Sequence, residues 1–118
     1  MKKEDFLKII NDNVKDYNKK VKFIFISPYA NFECHITSIG VKDKEDNMSY
    51  LSNYYPPELD KKDKHLLYAM INKLNELSGS FVSFMIYSRE RRNNNFTIYN
   101  YKMTVNETDN FIELIIQE

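Results

Sequence analysis

Glycine and cysteine are scarce in this chain, and each shortage excludes a class of site. Gly40 and Gly79 are the only two glycines among the 118 residues. Loops that hold a phosphate by close backbone approach, such as the P-loop or the GxGxxG turn, need several glycines. A dinucleotide-binding or P-loop site is therefore excluded. Cys34 is the only cysteine, so the chain can form neither an intramolecular disulfide nor a thiolate metal cluster.

The chain also lacks an excess of charge and a long apolar run. Its 17 basic and 17 acidic residues give a formal net charge of zero, so no overall field draws it to nucleic acid or to an anionic membrane. The first residues, MKKEDFLKIINDN, combine lysines with acids and predict neither a signal peptide nor a transmembrane segment. We therefore expect a cytoplasmic protein that forms one domain, residues 1–118.

Two stretches have the periodicity of amphipathic helices. From Asp60 to Gly79, apolar residues recur at intervals of three and four, namely at Leu66, Leu67, Met70, Ile71, Leu74 and Leu77. Asp60 is placed to cap this helix, and Gly79 to end it in a left-handed conformation. Residues 4–19 predict a first helix, whose apolar face carries Phe6, Leu7, Ile10, Val14 and Tyr17. Both apolar faces are expected to pack against a sheet.

The remaining patterns predict five strands, at residues 21–27, 31–40, 81–87, 96–105 and 111–117. The first two are expected to form a hairpin, and the last three an antiparallel meander. Residues 41–59 read as a charged turn followed by an extended or polyproline-like segment that ends in Pro56 and Pro57. The expected fold is α+β, with the order α-β-β-α-β-β-β and two helices on a single antiparallel sheet of about five strands.

Catalytic and metal-binding patterns are missing from the sequence. Cys34 and His35 are neighbours on a predicted strand, so their side chains point to opposite faces and cannot act together. His65 has no second histidine at the spacing of a helical zinc pair. The run from Asp43 resembles the start of a calcium loop but has Met48 where the loop requires glycine and Tyr54 where it requires glutamate. We expect a protein that is not an enzyme and that binds neither metal nor cofactor.

Two surface features are candidates for binding a partner protein. The aromatic segment 48–57 carries Tyr50, Tyr54 and Tyr55, and tyrosine combines a large contact area with a polar tip. The predicted hairpin tip carries Arg89, Arg91 and Arg92, which suit an acidic partner or a phosphate. Each feature also has a purely structural interpretation. The tyrosines would then cover an open edge of the core, and the charged tip would limit aggregation.

The same region supports an alternative hypothesis, a nucleic-acid-binding face. Tyr99 and Tyr101 alternate on the strand that follows the basic tip, and aromatic rings near arginines can stack on bases. Residues 106–118 count against this hypothesis, because they carry Glu107, Asp109, Glu113 and Glu118 with no basic residue and would repel a phosphate backbone.

The order of elements over residues 4–104 resembles that of small bacterial immunity proteins of the YezG kind. It includes a helix, a hairpin, a long loop ending in Pro56–Pro57 and a second helix, but not the tryptophan expected after that helix. The composition, rich in lysine and asparagine, is also similar to that of phage-type inhibitors of defence nucleases. Both resemblances imply a cytosolic protein that binds and neutralises a partner protein, such as a nuclease or a toxin.

Overall fold

The computed structural model describes residues 1–26, 31–34, 38–40, 47–53, 66–88 and 94–118. These residues form two helices and eight strands, so the α+β class is confirmed. The helices are α1 (Lys3–Asn13) and α2 (Leu67–Glu76). The strands are β1 (Lys20–Ile26), β2 (Asn31–Cys34), β3 (Ser38–Gly40), β4 (Met48–Ser52), β5 (Phe81–Ser88), β6 (Asn94–Ile98), β7 (Lys102–Glu107) and β8 (Phe111–Gln117).

The strands form two sheets, so the prediction of a single antiparallel sheet is wrong. The β1 sheet has the order β2-β1-β8-β7, and the β5 sheet has the order β3-β4-β5-β6. Two of the predicted strands are divided between the sheets. Residues 31–40 contribute β2 to one sheet and β3 to the other, and residues 94–107 contribute β6 and β7 in the same way. The expected hairpin of β1 with β2 is confirmed.

Each sheet contains one parallel pair, which an antiparallel meander cannot contain. In the β1 sheet, β1 and β8 run parallel, with Lys22 opposite Glu113 and Ile24 opposite Ile115. In the β5 sheet, β4 and β5 run parallel on either side of the crossover that contains α2. Parallel neighbours need such long connections, and the sequence pattern of single strands does not reveal them.

The pairing pattern repeats when the two halves of the chain are exchanged. The first half is α1, β1, β2, β3 and β4, and the second half is α2, β5, β6, β7 and β8. Strand β1 pairs with β8 of the second half, and β5 pairs with β4 of the first half, both in parallel. The residue before each helix also bridges to the start of the other half's first strand, as Lys2 with Phe81 and Leu66 with Lys20. The fold therefore has an internal two-fold pattern that the sequence analysis did not detect.

Both helices are shorter than the periodicity predicts. Helix α1 ends at Asn13, and Val14 is already extended. Helix α2 begins at Leu67, because Leu66 is extended in its bridge to Lys20. Asp60, the predicted N-cap, lies outside the described residues. Gly79 does not form the predicted left-handed cap, since the helix ends at Glu76 and no described glycine has a positive φ.

The predicted apolar faces meet in one core. Helix α1 contributes Phe6 and Ile10, and α2 contributes Leu67, Met70 and Leu74. The inward residues of β8 are Ile112, Leu114 and Ile116, as predicted. The Phe84 ring lies among four aromatic rings, with centroid distances of 6.4 Å to Phe6, 5.5 Å to Phe23 and to Phe25, and 5.0 Å to Tyr101. This core joins both sheets and both helices.

Gly79 has a packing role in place of the predicted capping role. It is buried against the start of β4, where an added Cβ would lie 2.5 Å from the Met48 carbonyl carbon and 2.7 Å from the Ser49 nitrogen. The neighbouring N–H of Ser80 donates to the carbonyl oxygen of Asn47 at 3.0 Å. Only glycine allows the chain after α2 to approach β4 this closely.

Candidate protein-binding face

The predicted partner-binding residues are mostly outside the described residues. This applies to Tyr54, Tyr55, Arg89, Arg91 and Arg92. The sixth residue, Tyr50, is described and lies in strand β4, where the sequence analysis expected an extended or polyproline-like segment. Only 1% of Tyr50 is exposed. Its position does not fit an exposed binding surface and agrees with the structural interpretation of the aromatic segment.

The two residues of the alternative nucleic-acid face occupy different environments. Tyr101 has a structural role, because its hydroxyl donates to the Val82 carbonyl oxygen at 2.8 Å and its ring packs on Phe84. Burial raises the pKa of Tyr101 well above its ordinary value. Tyr99 is 46% exposed, and its ring meets that of Tyr50 edge to face. Only Tyr99 of this pair has a ring that a base could stack on.

The outer face of the β1 sheet is the candidate site that emerges from the structure. Because Val21, Phe23 and Phe25 point into the core, the alternate residues of β1 point outward, and β8 behaves in the same way. The registers then place Ile24 beside Ile115, and Lys22 beside Glu113. The outward residues on β1 and β8 are Lys20, Lys22, Ile24, Ile26, Phe111, Glu113, Ile115 and Gln117.

Along the strands, isoleucines occupy one half of this face and charged residues are concentrated in the other half. Ile24 and Ile115 are half-buried by their neighbours, and Ile26 is 36% exposed. Lys22 lies 4.2 Å from the centre of the Phe111 ring, and its Nζ is 3.4 Å from a carboxylate oxygen of Glu33. Apolar surface beside charged residues suits contact with a partner protein.

The charges on the face are held in place by neighbouring side chains. Asn106 on β7 donates to a carboxylate oxygen of Glu113 at 2.7 Å. Lys22 on β1 pairs with Glu33 on the neighbouring strand β2, and 53% of the Glu33 side chain is exposed. These contacts orient the charged groups without removing them from the surface. A partner would therefore meet a patterned face rather than a set of mobile side chains.

The equivalent face of the β5 sheet is covered by the protein itself. Phe81 and Lys20 are equivalent, because each forms a bridge with the residue that precedes a helix of the other half. Two and four residues further along the strands, Ser83 is then equivalent to Lys22 and Met85 to Ile24. On β4, Tyr50 is then equivalent to Glu113 and Ser52 to Ile115. The four residues of the β5 sheet that are equivalent to Lys22, Ile24, Glu113 and Ile115 are all buried, namely Ser83, Met85, Tyr50 and Ser52. At these four positions the β5 sheet is buried, whereas the equivalent residues of the β1 sheet are partly exposed.

Neither helix covers the outer face of the β1 sheet. Helices α1 and α2 bury their apolar residues in the core that also contains the inward residues of β1 and β8. They therefore lie on the inner side of this sheet. The sequence did carry a signal for the site, because KVKFIFI and FIELIIQ place isoleucine at outward positions where a solvated strand would have polar residues.

The most strongly paired acid among the described residues has a structural role. Glu107, at the end of β7, accepts from the Lys15 backbone N–H at 2.7 Å and from the Lys19 ammonium at 2.8 Å. These contacts hold the pKa of the Glu107 carboxyl below its ordinary value, with the Lys15 N–H as the largest cause. Lys19 also donates to the Thr108 carbonyl oxygen, so the cluster joins residues 15–19 to the β7–β8 turn.

The described residues contain no group of three or more His, Cys, Asp or Glu side chains arranged to hold a metal ion. Across the same part of the chain, neither helix has the length and apolar character needed to cross a membrane. Comparison with protein-family models, curated proteins and solved structures finds no match for the chain. The site must therefore be interpreted from its own chemistry.

Proposed function

We propose that this protein is a non-enzymatic binding protein that inhibits or neutralises a partner protein, and that it binds through the outer face of the β1 sheet. The observation that supports this proposal is the accessible row of Ile24 and Ile115, bordered by Lys22 and Glu113, on a sheet whose equivalent face in the β5 sheet is buried. The inhibitory role follows from the resemblance to immunity and anti-defence proteins. A nuclease or a toxin is the partner class that this resemblance implies.

The energetics of the face favour a protein partner. Burying the remaining exposed surface of Ile26, which is 36% exposed, gives roughly 0.5–1 kcal/mol, because full burial of an aliphatic side chain is worth about 1.5–3 kcal/mol. Ile24 and Ile115 are less exposed than Ile26, so the three isoleucines together supply roughly 1–2 kcal/mol. The mixed charges beside the isoleucines affect the orientation and the association rate of a bound partner more than its affinity. The face suits a partner with an apolar strip and charges of both signs.

Nucleic-acid binding remains the alternative hypothesis, and the described residues lend it less support. Lys20, Lys22 and Lys102 are accompanied on the same face by Glu33 and Glu113. Carboxylates beside the lysines weaken attraction to phosphates. Strand β6 also separates Tyr99, which follows Ile98, from the residues 89–93 that precede Asn94. Titration with single-stranded and double-stranded oligonucleotides tests this alternative, because phosphate contacts give affinity that falls steeply with salt.

The proposed function is tested by comparing Ile115→Glu with Asn72→Glu. Both changes add one carboxylate, but Ile115 lies at the centre of the face and Asn72 is exposed on α2. Each tagged protein is incubated with host lysate, and captured proteins are identified and quantified by mass spectrometry. We expect one partner to be retained by the wild type and Asn72→Glu and reduced at least tenfold with Ile115→Glu.

The captured partner is then purified and its own activity is measured with increasing amounts of the protein. Inhibition that is complete near a 1:1 ratio, and that Ile115→Glu does not produce, supports the proposal. Equal capture of the same partner by both variants would show that binding uses another surface. Capture without any change in the partner's activity would contradict the inhibitory role.

A further inference from the structure

We propose that the free protein forms a two-fold symmetric dimer through the outer face of the β1 sheet, and that the partner displaces the second copy. The dimer follows from the pattern of residues on the face alone. The displacement step rests on the proposed function, because both occupants use the same residues. A second copy suits this face because the charges of the face are complementary to those of an identical face.

The parallel register of β1 and β8 makes the face self-complementary. The two-fold axis lies in the interface, parallel to the strands and midway between β1 and β8. Rotation by 180° about this axis places β1 of one copy over β8 of the other. Residues opposite each other in the register then meet across the axis. Lys22 faces Glu113 of the second copy, and Ile24 faces Ile115 of the second copy. Each contact occurs twice, as a two-fold interface requires.

The packing geometry agrees with known sheet-on-sheet arrangements. Two sheets that stack face to face lie about 10 Å apart with their strands rotated by about 30°. A tilt of about 15° of each copy's strands from the axis gives this rotation. Isoleucine side chains from both copies then interdigitate on one side of the strand midpoint, and the two Lys22–Glu113 pairs lie on the other side. Lys22 and Glu113 each have a charged partner across the axis.

The size of the face limits how strongly two copies can associate. The 24 residues of the four strands, at about 4.8 Å between strands and about 3.3 Å per residue, cover roughly 380 Å². This is about half of the 800 Å² per partner that a standard interface buries. We therefore expect a weak dimer with a dissociation constant on the order of 10 µM or higher. A partner that uses additional surface can displace such a copy.

The test uses two charge reversals, Lys22→Glu and Glu113→Lys, followed by sedimentation equilibrium on purified protein. The wild type is expected to shift from 14.2 kDa towards twice that mass as concentration rises. Each variant alone brings like charges together across the axis and is expected to stay monomeric. A 1:1 mixture restores both opposite-charge contacts, so the mixture is expected to dimerise again.

Lys8→Glu, a reversal on the exposed side of α1, serves as the matched control and is expected to dimerise like the wild type. A wild type that remains monomeric at several hundred micromolar overturns the dimer. So do single variants that dimerise as the wild type does, or a mixture that stays monomeric. Should a variant fail to fold, the wild type decides the question by NMR. In that case, an isotope-filtered contact between Ile24 and Ile115 of different copies is expected, and its absence at high concentration overturns the proposal.

The dimer test requires no partner, so its failure leaves the proposed function standing. Conversely, an Ile115→Glu variant that captures the partner normally contradicts the proposed function and not the dimer. The displacement step is tested by adding purified partner to the dimer. We expect complexes that contain one copy of this protein, whereas a stable complex with two copies joined through β1 and β8 overturns displacement.

Discussion

Alanine at position 79 is expected to destabilise the protein because the new methyl group meets backbone atoms. The Cβ would lie 2.5 Å from the Met48 carbonyl carbon, 2.7 Å from the Ser49 nitrogen and 2.8 Å from the Met48 carbonyl oxygen. Ordinary contacts between such atoms begin near 3.4 Å. Residue 79 and the start of β4 would therefore have to move apart by about 1 Å. Strand β4 lies inside its sheet between β3 and β5 and cannot move away freely.

The size of the effect follows from two opposing terms. Overpacking a close-packed interior costs about 1–3 kcal/mol, and a rigid backbone neighbour favours the upper end of that range. Alanine also restricts the unfolded chain, which stabilises the folded protein by about 0.4–1 kcal/mol. The net expectation is a loss of about 2 kcal/mol in the free energy of unfolding. For a domain of this length, the melting temperature then falls by roughly 8 °C.

Urea unfolding at 25 °C, followed by circular dichroism, measures the change directly, and calorimetry gives the melting temperature. Ser78→Ala is the matched control, since Ser78 is exposed on the same segment and its loss is expected to change stability by less than about 0.5 kcal/mol. A Gly79→Ala protein as stable as the wild type would refute the close approach of residues 78–80 to β4.

Three further changes test other contacts. Met70→Asp places an unpaired carboxylate among buried residues and is expected to unfold the domain at 25 °C, as judged by circular dichroism; a cooperative melt at the wild-type temperature would contradict the placement of α2. Tyr101→Phe removes the hydrogen bond to Val82 and is expected to cost about 1 kcal/mol in urea unfolding. In the wild type, the absorbance of Tyr101 phenolate should not develop before alkaline unfolding, because burial raises its pKa. Glu107→Gln is expected to lower the melting temperature at pH 7 and to have no effect near pH 2. The folded-state pKa of Glu107 is depressed, so its stabilisation is present above the unfolded pKa and is lost as pH falls through the folded pKa. An equal difference at both pH values would contradict that role.

The helices and the core were largely predictable because they depend on local periodicity. Leu67, Met70 and Leu74 recur at helical spacing, and all three are buried. Ile112, Leu114 and Ile116 alternate, and all three point inward. Periodicity does not define where a helix begins, however. Leu66 continues the apolar pattern of α2 but is extended, because its backbone bridges to Lys20 from a distant part of the chain.

The arrangement of the sheets and the candidate site depended on information that single segments do not carry. Pairing of β1 with β8 joins residues about ninety positions apart, as in the opposition of Val21 and Ile112. Tyrosine is a residue type that is common in protein interfaces, yet Tyr50 is buried because its strand β4 lies inside a sheet. The outer isoleucines became visible as a site only when the structure showed that neither α1 nor α2 lies over Ile24 and Ile115. The tyrosines of the sequence therefore predicted a surface other than the outer face of the β1 sheet.

The pairing of the first strand with the last has a consequence for folding in the cell. Strand β1 emerges early in synthesis, but its parallel neighbour β8 does not exist until residue 117 has been added. Until then, Val21, Phe23 and Phe25 have only a partial core to enter, and one edge of β1 has unpaired backbone groups. Contacts of such long sequence separation also slow folding. The domain is thus expected to fold only after β8 has been synthesised, and the nascent segment that contains β1 without β8 is the species most in need of protection from aggregation.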